Sequence, residues 1–315
     1  MRVLVYRRQS GSRYLPLVRE GLARRGVEAT VVACDTPEEA EAALPEADVL
    51  LSWGLPAGLY GKAPGLRWVQ SIGAGIDDLL ADPSLPAGVS VTRVTGFFGP
   101  QIAEYVMAHL LAVSQDLRRA YATQARRAWE QWEPSHLRGK CLGVAGVGEI
   151  GRVVAARARA FGLTVLGLRR GPSPCPEVDR AYSLEQMGEF LPLLDYLVVT
   201  LPLTPETRHL FGRRQFSQLK RGSWLVNVGR GPVVDPAALI EALRDGHLGG
   251  AVLDAHEVEP LPADNPLWAM PNVTITPHIS GLSDPVYVAD YFGDNARRFV
   301  DGLPLKGLVD RRRGY

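Results

Sequence analysis

Residues 146–151 read Gly-Val-Gly-Glu-Ile-Gly, inside the stretch KCLGVAGVGEIGRVVAARARAFG, and this segment restricts the fold more than any other. An apolar run that predicts a strand enters the G-x-G-x-x-G pattern, and a run that predicts a helix leaves it. In such a turn the first glycine permits the tight bend and the second lets backbone approach a pyrophosphate. The third allows the helix to lie close on the strand. The unpaired N–H groups and dipole at the helix start favour phosphate. Gly146, Val147, Gly148, Glu149, Ile150 and Gly151 are therefore candidate dinucleotide contacts.

The same strand–helix alternation runs along the whole chain. RVLVY, EATVVA, DVLLSW and LRWVQSI predict buried strands. LPLVREGLARRG, which stops at Gly26, and TPEEAEAALPEA, acid-rich near its start, predict helices between them. From Gly99 to about Trp129 a long, mostly helical stretch intervenes, with Arg118–Arg119 and Arg126–Arg127 expected on a solvated face. The alternation restarts at KCLGVAG and continues through TVLGLR, DYLVVT, SWLVNV, GAVLDA and VTITP. Alternation of this kind implies parallel sheets covered by helices on both faces. The expected fold is α/β, with two doubly wound parallel-sheet domains joined near residue 99. A chain of 315 residues, 46% hydrophobic, is long enough for two cores.

Composition excludes several classes of function. A formal net charge of +1 gives no polyanion signal, so no nucleic-acid partner is expected. Nearly all basic residues are arginine, with lysine only at positions 62, 140, 220 and 306, and the basic tail RRRGY is expected to be solvated. Cys34, Cys141 and Cys175 have no metal-ligand spacing, and no metal is expected. With no signal peptide or long apolar span, they point to a reducing, cytoplasmic setting without membrane association.

The strand after the glycine loop bears on the choice of dinucleotide. In NAD-binding proteins an acid at its end commonly holds the ribose hydroxyls. Here TVLGLRR ends in Arg169-Arg170 with no acid. Arginine suits a ribose 2′-phosphate by charge and by its forked donors, so NADP is the expected cofactor, with NAD as the second choice. An arginine-rich chain also offers the plainer reading of a surface pair.

Three later segments carry the chemistry. WLVNVGRGPVVD sets Arg230 just past the end of an apolar strand, and GAVLDAHEVEPLP sets Asp254 at another, with Glu259 shortly after. VTITPHISG does the same for His278, because Pro277 keeps Thr276 out of the helical region. Ligands of open α/β sheets bind outside the carboxyl ends of the strands. One of these residues alone would be unremarkable, whereas all of them at one edge make a candidate site.

The segments QSIGAGID, AEYVMAHLL, LRGKCLGVAGVGEIGR, LPLTPETRHLF, LVNVGRGPVVD, AVLDAHEVEPLP and TPHISG give the chain a wider resemblance. Over nearly its whole length it resembles the D-isomer-specific 2-hydroxyacid dehydrogenases. The ending VDRRRGY, Arg169, Arg170 and Trp53 resemble the glyoxylate/hydroxypyruvate reductase branch. The resemblance implies a flavodoxin-like substrate domain, residues 1–98 completed by 285–315, and a Rossmann cofactor domain, residues 99–284. It further implies an active-site cleft between them and a homodimer paired through the long helical region.

The resemblance also assigns roles for a small 2-keto or 2-hydroxy acid substrate. Arg230 would hold the substrate carboxylate and polarise its carbonyl. His278 would donate the proton as hydride arrives, and Glu259 would fix the ring and favour its charged form. Gly73, Ala74 and Gly75 would meet the carboxylate with backbone N–H groups, near Trp53 in the pocket wall. Asp254 would face the nicotinamide amide, while Leu201, Pro202, Thr207 and Val228 would line the cofactor cleft. His256 departs from the family's usual apolar or aromatic residue and is expected to be exposed. The rivals are formate dehydrogenase, which pairs its histidine with glutamine, and phosphoglycerate dehydrogenase, whose regulatory domain is not seen here. A dinucleotide-sensing corepressor or scaffold of the same fold is the rival from another class.

Overall fold

The apolar runs fold into strands whose ladders all run parallel, in two separate sheets of the computed structural model, which describes residues 1–171 and 175–314. Tyr315, the last residue of the basic tail, lies outside the described residues. The chain divides into two units, Met1–Phe97 with Leu282–Tyr315, and Phe98–Gly281.

The first unit holds β1 (Arg2–Tyr6), β2 (Thr30–Cys34), β3 (Val49–Ser52), β4 (Trp68–Ser71) and β5 (Ser90–Thr92) in the order β2-β1-β3-β4-β5. Every residue of β3 and β4 is buried, as central parallel strands require, because helices cover both faces. The helices are α1 (Leu15–Ala23), α2 (Pro37–Ala43) and α3 (Asp77–Ala81). Their limits follow from the sequence. The Thr36 hydroxyl accepts from the Glu39 N–H, the Glu39 carboxylate accepts from Thr36, and Pro37 takes the first helical position of α2.

The second unit begins with α4 (Phe98–Ser114) and α5 (Leu117–Ala125). Its sheet contains β6 (Cys141–Ala145), β7 (Thr164–Leu168), β8 (Arg180–Tyr182), β9 (Tyr196–Val199), β10 (Ser223–Asn227), β11 (Leu248–Leu253) and β12 (Val273–Ile275). Between them run α6 (Glu149–Ala160), α7 (Met187–Phe190), α8 (Arg213–Gln218) and α9 (Pro236–Arg244). The sheet order is β12-β11-β10-β9-β6-β7-β8, so the winding reverses between β6 and β9. That reversal opens a crevice at the carboxyl ends of these two strands, where the glycine loop leaves β6. Among the described residues no helix is long and apolar enough to cross a membrane.

The chain then ends with α10 (Pro285–Val300), which belongs to the first unit. A buried polar network ties it there. The Asn295 amide donates to Gln70 Oε1 (3.0 Å) and to the Lys306 carbonyl (2.9 Å). Thr92 donates to the same Gln70 oxygen (2.8 Å) and accepts from the Trp68 indole (2.8 Å). The Trp68 ring stacks on Phe292 with centroids 5.1 Å apart.

Three local details refine the sequence reading. The helical stretch after Gly99 is two helices, because Asp116 takes a left-handed conformation (φ 49°) and caps α5 by accepting from the Arg119 N–H. Arg118 is not simply solvated: its guanidinium donates to the Pro271 and Val273 carbonyls and to Thr274 Oγ1, clamping α5 to β12. The three-residue strands β5 and β8 are too short to leave a readable pattern, and each forms a sheet edge.

Candidate active site

The three glycines of the loop do different physical work. Gly146 has φ +104°, a conformation that side-chain-bearing residues rarely adopt. A β-carbon at Gly151 would lie 2.2 Å from the Gly146 carbonyl oxygen, so α6 can approach the strand end only with glycine there. A β-carbon at Gly148 would meet no protein atom within 4 Å. Protein packing therefore does not explain Gly148, whereas a phosphate lying against the backbone does. Glu149 and Ile150 open α6, and Val147 is buried against Gly167 of β7. The loop fits a dinucleotide pyrophosphate.

The neighbouring strand ends complete this wall. Thr200, just past β9, donates its hydroxyl to the Gly146 carbonyl (2.6 Å). The Val228 N–H donates to the Val199 carbonyl (3.1 Å), and Gly229 lies against the Leu201 backbone. Leu201 thus stands beside the glycine loop, and Val228 lies one strand further along the sheet. Pro202 and Thr207 close their own turn, since the Thr207 hydroxyl donates to the Pro202 carbonyl (2.7 Å) and accepts from the Thr204 N–H (2.8 Å). Thr207 is buried by that work and shapes the loop from inside. Arg169 and Arg170 follow β7, and the exposed Arg170 guanidinium is 3.6 Å from Glu206.

Arg230, Asp254, Glu259 and His278 all follow the carboxyl ends of β10, β11 and β12. Asn227 fixes the backbone around Arg230: its amide donates to the Arg230 carbonyl (3.1 Å), and its oxygen accepts from the Gly229 N–H (3.1 Å). Arg230 in turn donates to the Gly229 carbonyl (2.9 Å). His278 has φ +55°, and a non-glycine residue in that region costs about 1–3 kcal/mol. Asp254 holds it there. The Asp254 carbonyl accepts from the His278 N–H (3.0 Å), Oδ1 from Ile279 N–H (2.8 Å), and Oδ2 from Ser280 N–H (2.9 Å). The Thr276 hydroxyl also donates to Oδ1 (2.6 Å). Asp254, 1% exposed, is thus first the organiser of the histidine turn.

Glu259 orients the ring. His278 Nδ1 lies 2.9 Å from Glu259 Oε2, and because a carboxylate only accepts, Nδ1 carries the hydrogen. That leaves Nε2 for proton exchange with a ligand. The other carboxylate oxygen accepts from the His256 N–H (2.8 Å). The hydrogen bond to Glu259 raises the His278 pKa above the ordinary histidine value. Burial and the Arg230 charge oppose that rise, while the charges of Glu259 and Asp254 add to it. At Glu259 burial favours the neutral acid, but the bonds from His278 and the His256 backbone prevail and lower its pKa. The pair thus favours imidazolium facing carboxylate.

Trp53, Gly73, Ala74 and Gly75 belong to the first unit. A β-carbon at Gly73 would lie 1.8 Å from the Trp53 ring, so this half-exposed indole rests directly on the loop. The Gly73 N–H donates to Ser71 Oγ (3.2 Å) and is already engaged. The amides of Ala74 and Gly75 are the ones left to consider for an anion.

His256 is half-buried rather than simply exposed. Its Nε2 lies 3.3 Å from the Thr276 carbonyl, which only accepts, so His256 donates and links the Glu259 loop to the His278 turn. Sequence reasoning missed Asn227 and Thr276. The signal was a polar residue at the carboxyl end of an apolar strand, where nothing but a specific partner justifies it.

Comparison with known proteins identifies the family. Residues 107–280 match the model of the D-isomer specific 2-hydroxyacid dehydrogenase, NAD binding domain. The glyoxylate/hydroxypyruvate reductase A of Photorhabdus laumondii is 33% identical over 275 residues, covering 85% of this chain and 88% of the relative. A D-isomer specific 2-hydroxyacid dehydrogenase from Xanthobacter autotrophicus Py2, solved with NADPH and MES, superposes with a TM-score of 0.88 at 34% identity. It covers 100% of this chain and 99% of its own. The NADPH-dependent glyoxylate/hydroxypyruvate reductase of Sinorhizobium meliloti, solved with NADP and sulfate, gives 0.88 at 31% identity, with 100% and 99% covered.

Proposed function

Because the chain belongs to the D-isomer specific 2-hydroxyacid dehydrogenase family, we propose that it reduces a small 2-keto acid, of the glyoxylate or hydroxypyruvate kind, to the 2-hydroxy acid. NAD(P)-dependent 2-hydroxyacid dehydrogenase activity is what the family carries, and the narrower substrate, the residue roles and a preference for NADP are our reading. Arg169 and Arg170, with no acid at the end of β7, support NADP, as do the relatives solved with that dinucleotide.

When bound, the nicotinamide supplies the hydride. The residues of this chain do the rest. Arg230 pairs with the substrate carboxylate and sets a fixed positive charge beside the carbonyl oxygen, where negative charge develops. His278 Nε2 delivers its proton to that oxygen as the carbonyl electron pair moves onto it. The ring leaves the step neutral, its Nδ1–H still held by Glu259. Asp254 keeps the histidine turn in place, and one acceptor position of its carboxylate remains for the nicotinamide amide. Trp53 and the Gly73–Gly75 loop are retained as substrate contacts. A homodimer also belongs to this reading, supported by apolar side chains exposed on one stretch: Leu117, Tyr121 (67%) and Trp129 (96%).

The observation that carries the proposal is the His278–Glu259 bond, which commits Nδ1 and leaves Nε2 as the proton carrier. The test is spectrophotometric oxidation of NADPH and NADH with glyoxylate, hydroxypyruvate and pyruvate. NADPH-preferring turnover of the first two is expected. A preference for NADH would discard the cofactor reading alone. Cofactor binding without turnover of any keto acid would discard the reaction.

A further inference from the structure

We propose that Tyr105 of α4 is a positioning residue for His278, acting through Thr276 and Asp254. The Tyr105 hydroxyl lies 2.6 Å from Thr276 Oγ1, which lies 2.6 Å from Asp254 Oδ1. Chemistry fixes the direction of both bonds. The Asp254 carboxylate accepts from Thr276, so the single Thr276 hydroxyl proton goes to it, and Tyr105 must donate to Thr276. Burial pushes the Tyr105 pKa up to about 12, so this donor keeps its proton at any working pH.

The chain ends on the group that shapes the catalytic turn. Asp254 Oδ1 is shared between Thr276 and Ile279, and the Asp254 carbonyl takes the His278 N–H. His278 sits in a left-handed conformation that depends on these bonds. Tyr105 is itself anchored. Its ring packs on His109 with centroids 4.2 Å apart, and α4 lies close enough to α6 that a β-carbon at Gly99 would meet Val153 at 2.8 Å. The helix that leaves the glycine loop and the turn that carries the proton donor are therefore braced by one element. Tyr105 touches neither substrate nor cofactor in this account; it sets where the imidazole stands.

The inference rests on His278 being the proton donor, so its test has one arm that needs turnover and one that does not. Tyr105→Phe keeps the ring and removes one hydroxyl, leaving Thr276 Oγ1 without its donor. In the first arm kcat is expected to fall roughly tenfold, the scale of one lost buried hydrogen bond, with the keto-acid KM and the NADPH Kd within about twofold. Thr276→Val should act alike, and the double variant should be no worse than the poorer single one. Multiplying effects would overturn a shared chain. A parallel loss of kcat, KM and melting temperature would make Tyr105 merely structural and would also overturn the idea.

The second arm follows the His278 titration by NMR on histidine-labelled protein, assigned by loss of its signal in His278→Gln. The ionisable groups facing His278 are Glu259, Arg230 and Asp254, with His256 on the Thr276 carbonyl. Tyr105→Phe alters none of these charges, so a midpoint moving down toward the ordinary histidine value reports a ring loosened from Glu259. An unmoved midpoint overturns the proposal even if turnover changes. Wild-type protein inert toward every keto acid would remove the proton-donor reading, while this arm still decides the role of Tyr105.

Discussion

Replacing Asp254 with asparagine changes almost no volume and separates two accounts of this residue. The carboxylate receives three donors, Thr276 Oγ1 at 2.6 Å, Ile279 N–H at 2.8 Å and Ser280 N–H at 2.9 Å, and is 1% exposed. An amide has one acceptor oxygen. With that oxygen at the Oδ1 position, its NH2 group faces the Ser280 N–H and leaves a buried backbone donor unsatisfied, at about 1–3 kcal/mol. The two bonds that remain lose charge assistance, a further loss of up to about 1 kcal/mol each. Part of this is returned because the buried carboxylate no longer has to be desolvated, so a net loss of about 2–4 kcal/mol is expected. For a unit of this size, that corresponds to roughly 5–15 °C in melting temperature. Thermal unfolding of the protein without cofactor measures it, and kcat should fall as the His278 turn relaxes. If Asp254→Asn melts within about 1 °C of wild type and only NADPH affinity changes, Asp254 serves the cofactor and the account of the turn is wrong.

Other substitutions test the remaining parts of the site. Glu259 holds the His278 pKa up, so reduction, which needs the protonated ring, persists to higher pH than an ordinary histidine allows and declines as pH rises through the raised value. In Glu259→Gln that support is gone, while burial and Arg230 still lower the pKa. The basic limb of the kcat/KM profile should therefore move to lower pH, and a limb that stays put would contradict the pairing. The pair also stabilises the fold. Its histidine share is complete below the unfolded histidine pKa and is lost as pH rises through the raised folded value. Its glutamate share is complete above the unfolded glutamate pKa and is lost as pH falls through the lowered folded one. Gly231→Ala would put a β-carbon 1.9 Å from the His256 carbonyl carbon, a backbone atom that cannot swing aside. It should cost about 1–3 kcal/mol and displace the loop bearing Glu259, and wild-type melting with wild-type turnover would count against that packing. Changing Arg169 and Arg170 to alanine should weaken NADPH binding while sparing NADH. An equal loss for both would end the 2′-phosphate argument.

Much of this was legible in advance because it is local. A glycine turn between a strand and a helix, a capping box at Thr36–Glu39, and apolar runs ending in Arg230, Asp254 and His278 are all readable within a dozen residues. What stayed hidden depends on partners far apart in sequence. Nothing near Tyr105 announces Thr276, 171 positions later, and nothing near Asp254 announces the turn whose amides it collects. His256 looked like an idle surface residue because its acceptor, the Thr276 carbonyl, comes from a different strand. Arg118 misled for the same reason, since the Pro271 and Val273 carbonyls it grips lie more than 150 positions away. The left-handed conformation of His278 carries no firm compositional mark, because histidine adopts it more often than most residues but usually takes ordinary dihedrals.

The buried network joining Gln70 and Thr92 to Asn295 and Lys306 has a consequence for synthesis. Phe98–Gly281 is one continuous run, but Met1–Phe97 leaves the ribosome without the Asn295 donor to Gln70 and with the Trp68 face uncovered. Its missing piece is translated only after the entire second unit, a wait of about 10–40 s at ordinary elongation rates. A released fragment ending at residue 284 should therefore be cut by protease within its first 97 residues and resist within 98–281. Equal resistance of both would show that the early segment closes unaided. The part of the protein made first is, by this arrangement, the part finished last.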